Sequence, residues 1–125
     1  NRVLVVEDDK IAAKVAQSIL LNLNCQVDIV FNGKMALKNI SKNTYDLILM
    51  DVGLPDNDGC EITHLIRLKL RNSSSPVIIG LTAHTSDEKK QKCLAMGMNS
   101  VYTKPLTKEK ALRILTKLYI YKKIE

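Results

Sequence analysis

The stretch Leu47-Ile48-Leu49-Met50-Asp51-Val52-Gly53-Leu54-Pro55 decides the fold. Four consecutive apolar residues without polar alternation predict a strand covered on both faces, the habit of a parallel sheet. The acid that ends the run, Asp51, then falls at the carboxyl rim of the sheet, where open α/β folds hold their ligands. Pro55 and the following Asp56-Asn57-Asp58-Gly59 turn the chain over that rim. Taken alone, Asp51 reads equally well as a carboxylate that ends a strand and caps the next loop.

The flanking sequence repeats the pattern. Val3-Leu4-Val5-Val6 is another unbroken apolar run, and it ends in Glu7-Asp8-Asp9. An amphipathic helix is expected next, with Ile11, Ala12, Val15, Ala16, Ile19, Leu20 and Leu23 on one face and Asp8 or Asp9 as its N-cap. Residues 25–30 read as a short strand, and Asn32-Gly33 turns into a helix carrying Met35, Ala36, Leu37 and Ile40. After the Asp51 strand comes a helix over residues 60–70, with Ile62, Leu65, Ile66 and Leu70 inward, then a loop over residues 71–76.

Residues 77–81 form a third buried strand that delivers Thr82 to the rim. Thr85 and Glu88 have the spacing of a capping box, with Thr85 as N-cap of a polar helix that ends at Gly97. Residues 100–103 make the last strand, closed by Lys104-Pro105. Thr107 caps a final helix whose inward face is Ala111, Leu112, Leu115, Leu118 and Tyr119. Five strands alternating with five helices predict an α/β fold, a parallel sheet with helices on both faces.

Composition narrows the function classes. The 125 residues suit one domain, too short for a catalytic domain with a lid. The 19 Lys+Arg against 13 Asp+Glu give a net charge of +6. The basic residues are spread over several helices, and Phe31 with four Tyr provides no stacking platform, so direct nucleic-acid binding is not expected. A solvated basic face, or a surface for an acidic protein, fits better. Cys25, Cys60 and Cys93 are widely separated, lack a CxxC, and fit reduced, buried thiols in a cytoplasmic setting. No apolar run approaches the ~18 residues of a membrane span. The chain starts at Asn1 and enters a strand at once, so we expect a segment cut from a longer protein.

In a parallel sheet every strand points the same way, so the strand-end residues share one rim. Glu7, Asp8, Asp51, Thr82 and Lys104 therefore converge. Three carboxylates repel one another more than Lys104 can offset. A hard divalent cation, Mg²⁺ or Mn²⁺, suits them, with the Gly53 carbonyl as a further ligand. A carboxylate can attack phosphorus to give an aspartyl-phosphate, and fixed positive charge and donors around the equatorial oxygens lower that barrier. Asp51 is the expected phosphoacceptor, Glu7 and Asp8 the metal ligands, and Thr82 and Lys104 the groups that meet the phosphoryl oxygens.

Leu4-Val5-Val6-Glu7-Asp8-Asp9, Asp51-Val52-Gly53-Leu54-Pro55 with Asp58-Gly59, Leu81-Thr82-Ala83 and Lys104-Pro105 together resemble the receiver domain of two-component response regulators over nearly the whole chain. The resemblance implies a flavodoxin-like, doubly wound (βα)5 fold with strand order 2-1-3-4-5. It also implies Mg²⁺-dependent phosphorylation of Asp51 by a phosphohistidine donor, with Thr82 as switch and Lys104 as charge partner. The stretch Leu81-Thr82-Ala83-His84, with Gln91-Lys92-Cys93-Leu94-Ala95-Met96-Gly97-Met98-Asn99, is most similar to receivers of hybrid sensor histidine kinases. A histidine kinase core and a histidine phosphotransfer domain are the partners this implies. No catalysis is expected of the segment beyond self-phosphorylation and autodephosphorylation. Homodimerisation stays open, and no membrane insertion is expected.

One position departs from the family. Receivers commonly carry an aromatic residue three places before the Lys; here it is Val101, and the ring comes one step later at Tyr102. Neighbouring strand residues face opposite ways, so no tyrosine-based switch is expected. Coupling through Thr82, or a relay that only passes phosphate on, remains open. His84 is expected in an exposed loop near the rim and His64 as a structural helix residue. Two other readings stand beside the receiver. One is a phosphohydrolase of the haloacid-dehalogenase type, which needs a second acid where Gly53 stands. The other is a receiver-shaped interaction module that takes no phosphate.

Overall fold

The computed structural model describes residues 1–54, 56, 58–73, 75–84 and 86–124, with the backbone alone for 122–124. Five strands, β1 (Arg2–Val6), β2 (Gln26–Val30), β3 (Leu47–Asp51), β4 (Val77–Thr82) and β5 (Ser100–Thr103), alternate with five helices. These are α1 (Lys10–Asn22), α2 (Gly33–Lys42), α3 (Gly59–Lys69), α4 (Asp87–Ala95) and α5 (Lys108–Ile124). All strand pairings are parallel, in the order β2-β1-β3-β4-β5. The expected flavodoxin-like topology is what the chain adopts.

The unbroken apolar runs make sense in this sheet, because β1, β3 and β4 are covered on both faces. Alternate residues feed two cores. Leu4, Val6, Ile48, Met50 and Ile78 pack toward α2, α3 and α4. Val3, Val5, Leu47, Leu49, Ile79 and Leu81 pack toward α1 and α5. Truncating a fully buried residue such as Ile48 to Ala is expected to cost ~2–5 kcal/mol. Val101 joins the first core and Tyr102 the second, so the ring does lie on the opposite face from the position where receivers carry theirs.

Several sequence expectations need correction. On α1 the buried residues are Ala13, Ala16 and Leu20, whereas Ile11 is 78% exposed and Val15 is exposed. The two alanines let the helix sit close to the sheet and leave the edge of the apolar stripe in solvent. Leu65, Leu112 and Tyr119 are likewise exposed, and Ile114 fills the inward place on α5. The N-cap of α4 is Ser86, which accepts the Lys89 N–H; Thr85 lies outside the described residues. The cysteines are also not all free. Cys60 of α3 and Cys93 of α4 are joined by a disulfide, and Cys25 remains a buried thiol. Both partners are buried in the same core, with Cα atoms 4.9 Å apart, a separation a disulfide spans.

Among the described residues, no helix is long and apolar enough to cross a membrane.

Candidate functional site

The strand ends meet at the carboxyl rim as parallel packing requires. Glu7 follows β1 directly, and its backbone N–H still bonds Val30 O of β2. Asp51 is the last residue of β3 and lies opposite Leu81 of β4. Thr82 ends β4 opposite Thr103, and the Lys104 N–H donates to Thr82 O at 2.7 Å. Four residues from four segments are thereby fixed by backbone pairing.

Side-chain geometry joins them. Glu7, Asp8 and Asp51 each place a carboxylate oxygen within 4.8 Å of the others. Glu7 and Asp51 are buried, and Asp8 is exposed at the mouth. Lys104 Nζ lies 3.0 Å from Glu7 Oε1 and 3.0 Å from Asp51 Oδ1. The Gly53 N–H donates to Asp51 Oδ1 at 2.9 Å, and the Asp9 N–H to Glu7 Oε2 at 3.1 Å. Asp9 also caps α1 by accepting the Ile11 and Ala12 N–H groups, which holds Glu7 and Asp8 at the rim.

These contacts sort the acids. Burial pushes Glu7 up to about 7, against the Asp9 N–H and Lys104, with Asp51 adding to the rise. Burial works to raise Asp51 too, but the Gly53 N–H and Lys104 outweigh it and hold Asp51 below its ordinary value. Lys104 loses by burial and gains more from the two carboxylates, so its pKa is raised. With three acids ionised and one ammonium, the formal charge is −3 + 1 = −2. That is the complement of one divalent cation, and three carboxylate oxygens are the donors a hard cation prefers.

The acids floor a cleft of about 620 Å³. Gly53, Thr82, Ala83 and His84 line it, and so do Ser86 and Lys89. Thr82 is thus at the cleft as expected, but its hydroxyl donates to His84 O at 2.8 Å instead of pointing to Asp51. His84 is exposed at the edge of the cleft; His64 is exposed on α3 and does not line it.

Sequence reasoning missed Lys89. It lies 2.5 Å from Asp58, the N-cap of α3, and Lys92 lies 3.4 Å from the same carboxylate oxygen. The signal was available: a helix that starts just past the rim turns its first-turn residues toward the rim. Asp58 itself is held below its ordinary value, because Lys89, the Cys60 N–H and Lys92 outweigh its burial. Gly59, beside it, has no room for a side chain. A Cβ there would meet Asp51 O at 2.2 Å and Val52 Cα at 2.9 Å.

Residues 3–116 match the response regulator receiver domain family. The chain is 38% identical over 117 residues to hybrid signal transduction histidine kinase B of Dictyostelium discoideum, covering 85% of this chain and 6% of that protein. It is 34% identical over 145 residues to histidine kinase 5 of Arabidopsis thaliana, covering 96% of this chain and 16% of that protein. The chain therefore spans a small part of these relatives. Among solved structures it is similar to the chemotaxis response regulator CheY4 of Vibrio cholerae, with TM-score 0.85 and 29% identity over 94% of this chain and 97% of that one. On the fold, and on a family match covering nearly all of its length, the chain belongs to the response regulator receiver domains.

Proposed function

We propose that the chain accepts a phosphoryl group from a phosphohistidine onto Asp51, and that it does so as a relay segment of a hybrid histidine kinase. The observation that carries this reading is the position of Lys104, 3.0 Å from both Asp51 and Glu7, inside a cleft that Thr82 also lines. An ionised carboxylate is the nucleophile such a reaction needs, and Asp51 is the acid held ionised, while Glu7 titrates near neutrality.

A bound Mg²⁺ or Mn²⁺ would be held by Glu7, Asp8, Asp51 and the Gly53 carbonyl, and it would supply charge neutralisation at the transferring phosphoryl group. Asp51 attacks phosphorus in line as the bond to the donor imidazole breaks. Lys104 is placed to follow the charge from the Asp51 carboxylate to a phosphoryl oxygen. The Thr82 hydroxyl exchanges His84 O for another phosphoryl oxygen, which moves the loop after β4. That movement needs no ring at position 101, so it suits a module that hands its phosphate on.

The phosphohydrolase alternative lacks its second acid at Gly53. The expected partners are a histidine kinase core and a histidine phosphotransfer domain, in the cytoplasm. Incubation with acetyl phosphate and Mg²⁺ is expected to add the mass of one phosphoryl group, and chelation to prevent it. Multiple turnover on a simple phosphate ester would instead favour a hydrolase.

A further inference from the structure

We propose that Cys60 and Cys93 are an oxidation site, whose disulfide ties α4 to α3 and so holds one wall of the acidic cleft in its resting position. Cys60 lies in the first turn of α3, beside the glycine packed against Asp51 O. Cys93 lies in the last turns of α4, 33 positions further on, and both residues are fully buried. The pair therefore joins the helix that starts behind Asp51 to the helix that follows Thr82.

Few side chains of α4 itself are buried. Cys93 is the buried residue of α4 among those described, and residues 87–92 are all polar. Along α4 itself the links to α3 are ionic, from Lys89 and Lys92 to Asp58, with both ammonium groups more than a third exposed, and just past its end Arg67 of α3 donates to Gly97 O. Ion pairs with that much solvent around them hold a helix weakly. A helix with few buried contacts opens locally at low free energy. The covalent bond removes that freedom.

The consequence reaches the site because α4 and the loop before it form a cleft wall. Ser86 and Lys89 line the cleft together with Thr82, Ala83 and His84. The Thr82 hydroxyl is held by His84 O, so reaching a phosphoryl oxygen releases the loop that leads into α4 to rearrange. With the disulfide formed, that rearrangement works against a tethered helix. With the thiols reduced, α4 is free to follow the loop. The effect on phosphate rests on Asp51 being the acceptor; the tie itself does not.

The chemistry balances with a small disulfide such as oxidised glutathione as co-reactant. One cysteine thiolate attacks it, breaking its S–S bond and releasing one glutathione thiolate. The second cysteine thiolate then attacks the mixed disulfide and releases the other. The protein loses two electrons, the co-reactant gains them, and the two cysteine protons end on two glutathione thiols. Because both sulfurs are buried, exchange in either direction waits on local opening of α4.

The test compares the 125-residue chain equilibrated in reduced and in oxidised glutathione. Thiol titration after denaturation is expected to count three thiols in the first and one, Cys25, in the second. Amide hydrogen exchange over residues 87–95 is expected to be about tenfold slower in the oxidised chain, and insensitive to redox state in Cys93→Ser. Mg²⁺-dependent beryllofluoride affinity is expected to be at least about threefold weaker when oxidised. Three thiols under full oxidation, or equal α4 exchange in the two states, overturns the tie. Slower α4 exchange with equal beryllofluoride affinity overturns its reach to the cleft. Slower exchange with no adduct in either state supports the tie and counts against Asp51 as acceptor.

Discussion

Lys104 Nζ and the Gly53 N–H meet on the same carboxylate oxygen of Asp51, at 3.0 and 2.9 Å. Asp51 is therefore held ionised by two donors while Lys104 also restrains Glu7. Replacing Lys104 by Met leaves two buried acids short of a donor. The metal-free chain is expected to lose about 1–2 kcal/mol, a figure discounted because the ammonium is 29% exposed. Mg²⁺ should bind more tightly in this variant, since its competitor for the acids is gone, while beryllofluoride uptake fails. Calorimetric titration of Mg²⁺ and beryllofluoride checks both halves.

The two buried acids give opposite pH signatures. Glu7 is raised to about 7 in the fold, so its neutral form is the one the fold favours. Its stabilising contribution is full below the ordinary value of 4.5 and is lost as pH rises through about 7. Asp51 is lowered, so its contribution is present above 3.8 and lost as pH falls below that, outside this window. The thermal midpoint of the metal-free chain is expected to fall between about pH 5 and 8, and Glu7→Gln should flatten that slope. Saturating Mg²⁺ should reverse it, because binding requires Glu7 to give up its proton.

Gly59→Ala tests how closely α3 backs Asp51. The new methyl would sit 2.2 Å from Asp51 O, a backbone atom that cannot rotate away. Overpacking of this kind costs about 1–3 kcal/mol. The shift should also move the Asp51 carboxylate off Lys104, so beryllofluoride affinity is expected to drop by more than the loss of folded protein accounts for. Thermal melts and titration on the same samples separate the two effects.

Much of this site is readable along the chain because parallel strands convert a sequence pattern into a place. Glu7, Asp51 and Thr82 each follow an apolar run and Lys104 follows the short last strand, and parallel strands bring such ends to a shared rim. Helix phase is less readable. Ile11 and Val15 belong to the same apolar stripe as Ala16 and Leu20, and only the distance to the sheet decides that Ala13 is buried and they are not. The Cys60–Cys93 pair is invisible to spacing rules, since it depends on how α3 and α4 pack side by side. The Thr82 hydroxyl bond to His84 O is set by a loop conformation that no periodicity encodes.

The most direct measurement is transfer of labelled phosphate from a phosphorylated histidine phosphotransfer domain to the chain in the presence of Mg²⁺. The account predicts one labelled group per chain, lost on chelation and absent in Asp51→Asn. Undiminished labelling of folded Asp51→Asn would contradict it.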